Sequence, residues 1–119
     1  MKKLFNSFGY ALKGMFLALK EQRNMRIHAV AIFVVTVVGI FLGMPAIEWS
    51  VLALTIGSVI VAEMMNTAIE TLVDLVSPEH NTHAGKIKDI AAGAVLLAAI
   101  IATVVAIYIF GNKIFNTLL

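Results

Sequence analysis

The sequence predicts an all-α membrane protein built from one amphipathic surface helix and three transmembrane helices. Hydrophobic residues make up 61% of the 119 residues and charged residues only 13%, and the mean hydropathy is +0.96. Long apolar runs alternate with short polar or proline-containing segments. Soluble proteins carry about 25% charged residues, so this chain is expected to lie in a membrane. No domain boundary is evident, and residues 1–119 are expected to form one integral-membrane domain.

Composition also excludes several kinds of chemistry. The chain has no cysteine, which rules out disulfides, thiolate zinc sites and a cysteine nucleophile. It contains no P-loop and no Ser/His/Asp signature of a hydrolase. We expect no nucleic-acid partner.

The first predicted element is a surface helix over residues 3–23. Its apolar side chains fall on one side of the helix: Leu4, Phe5, Phe8, Leu12, Met15, Phe16 and Leu19. Asn6, Lys13 and Lys20 recur at seven-residue intervals on another side, which is typical of a helix lying in the membrane interface. Most of the nine lysines and arginines precede the first long apolar run. This asymmetry favours a cytoplasmic N-terminus.

The first two spans are predicted over residues 27–43 and 46–76. Gly43 and Pro45 lie in the break between them, and Ser77-Pro78 ends the second. At about 1.5 Å per residue, a helix over 46–76 extends about 46 Å, against about 30 Å of hydrocarbon. Its C-terminal third should therefore reach the headgroup region or water.

The third span is predicted over residues 84–111. It follows a polar connection and begins with the basic flank of Lys86 and Lys88. With three spans, this flank lies on the same side as the surface helix, as the positive-inside rule requires. Small residues such as Ala91, Gly93 and Ala98 indicate close helix packing in the bilayer.

A polar stripe on the second span marks the candidate site. It consists of Glu63, Asn66, Glu70 and Asp74, which fall within about 80° of one another on a helix. Helix rise places Glu63 about 26 Å and Asp74 about 42 Å from Ala46, so the stripe begins at the inner membrane surface. Carboxylates there are costly and predict a functional site. Anionic groups beside basic residues suit a divalent metal, a polyphosphate and a lipid headgroup, and hence phosphoryl transfer.

Several segments share the order and spacing of a known family. They are EMMNTAIETLVD at residues 63–74, Lys88-Asp89 before a small-residue helix, Gly9-Tyr10 with Lys13-Gly14, and RNMRIH at residues 23–28. In these segments the chain resembles the bacterial integral-membrane diacylglycerol kinase and undecaprenol kinase family. The resemblance covers essentially the whole chain.

This resemblance implies an ATP-dependent lipid kinase of the bacterial cytoplasmic membrane, with its active site on the cytoplasmic side and Mg²⁺ as cofactor. It also implies a homotrimer whose sites are shared between subunits. By position, Glu63 matches the catalytic base for the lipid hydroxyl and Glu70 matches a metal ligand. The other matching positions are supporting residues Asn66 and Asp89 and nucleotide-binding residues Tyr10, Lys13, Asp74 and Lys88.

One position departs from the family pattern. The family places a second metal-binding glutamate immediately before the Arg-Asn pair, whereas this chain has Gln22 there and Glu21 one position earlier. Either Glu21 or Gln22 contributes to metal binding, or coordination relies more on Glu70.

The lipid acceptor is expected to be undecaprenol, with diacylglycerol as the alternative. The RNMRIH segment resembles the undecaprenol kinase branch, because the diacylglycerol branch carries an acidic residue at the position of His28. Taken alone, His28 is interpreted as an interfacial residue, and His80 and His83 as members of a solvated loop.

Two other functions remain open from the residues. An intramembrane carboxylate also serves small proton- or cation-coupled transporters, although their sites usually lie near the midplane between repeats, and no repeat is evident here. A noncatalytic assembly factor would tolerate the change of Glu63 to glutamine.

Overall fold

Four α-helices make up nearly all of the computed structural model, which describes residues 1–119. They are α1 (Lys2–Glu21), α2 (Arg23–Phe41), α3 (Ala46–Val76) and α4 (Thr82–Leu118). By length and composition, α2, α3 and α4 are each able to cross a membrane. The predicted all-α membrane protein, with one surface helix and three spans, is confirmed. The homotrimer stays a prediction.

Two helix boundaries differ from the expectation by more than two residues. α2 begins at Arg23 rather than at residue 27, and α4 continues to Leu118 rather than ending at residue 111. The polar residues that precede the first apolar run therefore form the first turn of α2. No proline interrupts the chain after residue 111, so α4 continues beyond its apolar part.

The junction between α1 and α2 is a single extended residue. Gln22 has φ −101° and ψ 118°, and its backbone N–H donates to the carbonyl of Ala18. The Arg26 guanidinium donates to the carbonyl of Lys20 at 2.6 Å. Carbonyls at a helix C-terminus have no partner within the helix, so Arg26 satisfies one of them and ties the end of α1 to the start of α2.

The turn between α2 and α3 depends on two glycines. Gly43 has φ +65°, a conformation that glycine adopts without steric cost. Gly39 is buried on α2, and a Cβ built on it would lie 2.6 Å from Cη2 of Trp49. The missing side chain therefore lets the Trp49 ring pack directly against α2.

α3 and α4 form the most extensive helix pair and run antiparallel. Asp74 near the end of α3 pairs with Lys88 near the start of α4, whereas Glu48 at the start of α3 pairs with Lys113 near the end of α4. Only 11 of the 119 residues are buried. Most large apolar side chains face outward, which suits helices surrounded by lipid.

Candidate active site

The polar face of α3 carries the only two polar side chains that are buried in the protein. Glu63 is 1% exposed and Asn66 is 8% exposed. Each has an oxygen without a hydrogen-bond partner, Oε2 of Glu63 and Oδ1 of Asn66. Buried polar atoms are nearly always hydrogen-bonded, so each of these two oxygens is available to accept a hydrogen bond from water or a ligand.

Glu70 continues this face one turn beyond Asn66. The Asn66 Nδ2 group donates to Oε1 of Glu70 at 3.2 Å, as side chains four residues apart on a helix are placed to do. The Asn66 amide and the half-buried Glu70 carboxylate thus lie side by side.

These three residues line one cavity between α2, α3 and α4. Its volume is about 330 Å³. The polar lining from α3 is Glu63, Asn66 and Glu70, and α2 contributes Asn24 and His28. Val95 and Ala99 of α4 are among the residues that close the far wall. The structure therefore brings together three of the four residues of the predicted stripe.

His28 and Asn24 line the cavity, although the sequence alone does not assign them to the site. The Nε2 atom of His28 lies 3.9 Å from Oε2 of Glu63. His28 is therefore a cavity residue, and its position at the membrane interface stays a prediction. Asn24 and His28 stand four residues apart, hence on one face of α2, once the helix is known to begin at Arg23. That spacing is the signal in the sequence that could have found them.

A second cavity adjoins the first within the membrane-spanning part. It has a volume of about 180 Å³, and ten of its twelve lining residues are hydrophobic, among them Leu52, Ile56 and Ala102. His28 and Ala99 line both cavities. A polar compartment and an apolar compartment therefore meet at these two side chains.

The fourth residue of the stripe lies outside the cavity. Asp74 is hydrogen-bonded to Nζ of Lys88 across α3 and α4. Asp89 follows Lys88 on α4 and is exposed. The pair at the polar end of these helices presents charge to water, beyond the buried part of the stripe.

The structure does not bring the predicted surface-helix residues to this cavity. Tyr10 is 74% exposed, Lys13 and Glu21 are also exposed, and Gln22 is half-buried at the α1–α2 junction. None of them lines the cavity that holds Glu63. No group of three or more histidine or acidic side chains in this chain is arranged to hold a metal ion. The predicted pairing of Glu70 with Glu21 or Gln22 stays a prediction.

The donor set of the cavity nevertheless fits Mg²⁺ in part. Mg²⁺ prefers oxygen ligands and is commonly bound through one or two carboxylates together with substrate phosphates and water. Glu70 supplies a carboxylate, and Asn66 supplies the buried amide oxygen that has no hydrogen-bond partner. The remaining ligands would come from phosphate and water.

Comparisons with known proteins give a consistent result. Residues 9–110 match the family described as prokaryotic diacylglycerol kinase. The chain is 36% identical to an undecaprenol kinase of Bacillus subtilis, over 96% of this chain and 93% of that protein. It is 46% identical to a diacylglycerol kinase of Synechocystis over 86% of this chain, but spans only 59% of that protein. It is 30% identical to the diacylglycerol kinase of Escherichia coli K12, over 86% of this chain and 84% of that protein.

Proposed function

This chain belongs to the prokaryotic diacylglycerol kinase family, and on that premise we propose that it phosphorylates undecaprenol at the cavity around Glu63. Membership of this family implies lipid kinase activity with ATP as the phosphoryl donor. It does not favour the alternative of a transporter. The acceptor, the roles of the site residues, Mg²⁺, the cytoplasmic orientation and the homotrimer are parts of our proposal.

The observation that carries the proposal is the burial of Glu63 with one oxygen free. A lipid hydroxyl must lose its proton as its oxygen attacks the terminal phosphorus of ATP, while the bond between that phosphorus and ADP breaks. A carboxylate within hydrogen-bond reach of the hydroxyl takes this proton as a general base. Glu63 Oε2 is buried and has no hydrogen-bond partner, so it is free to accept the proton.

The two adjoining cavities match the two parts of a lipid alcohol. The hydroxyl would lie in the polar cavity beside Glu63, and the first segment of the hydrocarbon chain would lie in the apolar cavity lined by Leu52, Ile56 and Ala102. Both compartments share His28 and Ala99. This continuity favours a membrane lipid over a water-soluble acceptor.

The nucleotide would approach from the water-exposed end of α3 and α4. Lys88 would contact its phosphates, with Asp74 holding the lysine through their ion pair and Asp89 supporting it. Glu70 and Asn66 would hold Mg²⁺, which when bound neutralises negative charge on the phosphates. Phosphoryl transfer is catalysed largely by such positioning and charge stabilisation.

A homotrimer would account for the surface-helix residues that lie away from the cavity. Tyr10 and Lys13 are exposed on α1, where they are free to reach the nucleotide of a neighbouring subunit. Glu21 or Gln22 would likewise add a metal ligand across a subunit boundary. We therefore propose that each site is shared between two chains.

Undecaprenol is preferred over diacylglycerol for two reasons. The RNMRIH segment at residues 23–28 resembles the undecaprenol kinase branch. The match to the B. subtilis undecaprenol kinase extends over nearly the full length of both proteins. Diacylglycerol remains the second candidate, because relatives that carry that name are 30% and 46% identical to this chain.

The experiment is a kinase assay of the purified protein in mixed micelles with Mg·ATP carrying a labelled terminal phosphate. Undecaprenol and diacylglycerol are offered separately at equal surface concentration. We expect labelled lipid from both or from undecaprenol alone, with higher kcat/KM for undecaprenol. A higher kcat/KM for diacylglycerol would reject the proposed acceptor, and transfer to neither would reject the proposed function.

A further inference from the structure

His28 faces the proposed base from a different helix. His28 lies on α2 and Glu63 on α3, and their side chains approach to 3.9 Å between Nε2 and Oε2. Among the basic side chains, only that of His28 comes within 4.0 Å of the Glu63 carboxylate, since the lysines that pair with acids on α3 contact Asp74 and Glu48. The oxygen that His28 faces is the one without a hydrogen-bond partner.

The distance and burial define what this contact can do. A separation of 3.9 Å exceeds a direct hydrogen bond, but a small side-chain rotation or one bridging water would connect the two groups. A buried carboxylate without polar partners is costly. An imidazole N–H directed at the carboxylate lowers that cost. It also restricts the rotation of the carboxylate, because the negative charge is most stable when one carboxylate oxygen faces the imidazole nitrogen.

His28 is also partly enclosed by its surroundings. Its side chain is 23% exposed and forms part of the wall shared by the polar and apolar cavities. From this wall it faces both the Glu63 carboxylate and the space where the lipid hydroxyl would meet the hydrocarbon chain. A side chain there is close enough to the carboxylate to influence its direction relative to the acceptor.

We propose that His28 is a positioning residue that orients the Glu63 carboxylate toward the acceptor hydroxyl. The inference rests on the proposed function and adds a residue to it. His28 acts through an N–H donor on the neighbouring helix and does not itself take the proton of the substrate. A glutamine at position 28 therefore replaces much of its effect, whereas an apolar residue of similar size does not.

The test compares His28→Gln and His28→Leu with wild type in the lipid kinase assay, with His80→Leu as a control in the exposed connection before α4. Misplacing a reacting group by about 1 Å costs up to about 100-fold in rate. We expect His28→Leu to lower kcat about 10- to 100-fold with KM for ATP within about twofold, and His28→Gln to retain at least about a third of kcat. His80→Leu should match wild type.

A second measurement separates positioning from a general loss of structure. The substitution His28→Leu is repeated in a Glu63→Asp background. The shorter aspartate side chain no longer places its carboxylate at the same point. If His28 acts through Glu63, the loss caused by His28→Leu shrinks in this background, because the two residues are coupled. An equal loss in both backgrounds, or a His28→Gln variant as slow as His28→Leu, would overturn the inference.

The same assay distinguishes this inference from the function on which it rests. A wild-type protein that transfers phosphate to neither lipid would reject the proposed function and this inference together. An active wild type whose kcat is unchanged in His28→Leu would reject the role of His28 alone.

Discussion

Lys113 of α4 lies 2.8 Å from Glu48 in the first turn of α3. This ion pair joins the helices at the end opposite to the Asp74–Lys88 pair, and its side chains are only 21% and 29% exposed. Glu48 also lies where the partial positive charge of a helix N-terminus stabilises an acid. The part of α4 beyond the predicted span is thus tied to α3.

We expect Lys113→Met to lower stability because it leaves Glu48 partly buried without its counter-charge. We expect the free energy of unfolding to fall by about 1–3 kcal/mol, which lies between the values for exposed and for buried ion pairs. Thermal unfolding in detergent micelles measures it. The swap Glu48→Lys with Lys113→Glu should recover part of the loss, and a Lys113→Met variant as stable as wild type would show that the pair contributes nothing.

Gly39→Ala should destabilise the turn between α2 and α3. The added Cβ would lie 2.6 Å from Cη2 of Trp49 and 3.2 Å from Sδ of Met44, so the indole must move. Overpacking of this kind costs about 1–3 kcal/mol. The midpoint of thermal unfolding, followed by Trp49 fluorescence, should fall.

Gly111→Ala is the matched control, because nothing lies within 4 Å of a Cβ at Gly111. Alanine favours a helix over glycine by about 1 kcal/mol, so this variant should be as stable as wild type or slightly more stable. If Gly39→Ala were also as stable as wild type, this result would contradict the close packing of Trp49 against α2.

Lys88→Met should weaken nucleotide use while leaving the fold intact. Loss of a charge-assisted contact to phosphate corresponds to about 1.5–3 kcal/mol, so we expect KM for ATP to rise at least about 10-fold. The Lys88–Asp74 pair is exposed, and its loss should change stability by less than about 1 kcal/mol. Lys86→Met, on the same exposed turn, is the control. An equal KM in the two variants would remove Lys88 from the nucleotide site.

The proposed orientation makes a prediction about labelling. The chain has no native cysteine, so Ser7→Cys on α1 and Thr117→Cys at the end of α4 provide unique thiols at exposed positions. In intact spheroplasts, a membrane-impermeant maleimide should label Thr117→Cys and should label Ser7→Cys only after permeabilisation. The reverse pattern would place the active site on the outer face.

The helical architecture could be predicted because its signals are local. Pro45 at the start of α3 and Ser77-Pro78 at its end fix a helix whose bounds, Ala46–Val76, are those expected from the sequence. The start of α2 could not be fixed in this way. The surface helix and the first span meet at a single extended residue, Gln22, and no glycine or proline marks this junction in the sequence.

The site could be predicted only where its residues share one helix. Glu63, Asn66 and Glu70 are all on α3, and helical periodicity alone places them together. The approach of His28 to Glu63 depends on how α2 rotates and packs against α3, which periodicity within one helix does not determine. The separation of Asp74 from the cavity follows from helix rise, which places it about 6 Å beyond Glu70 on α3. Its ion pair with Lys88, in contrast, depends on how α3 and α4 pack.

The most direct test of the role of Glu63 is the turnover of Glu63→Gln, measured beside ATP binding on the same preparation. Glutamine preserves the size of the side chain but does not accept the hydroxyl proton, and loss of general-base catalysis lowers rates by about 100- to 10,000-fold. We expect kcat for lipid phosphorylation to fall by that amount while the Kd for Mg·ATP stays within about threefold of wild type. Near-normal turnover of Glu63→Gln would contradict the assignment of Glu63 as the base.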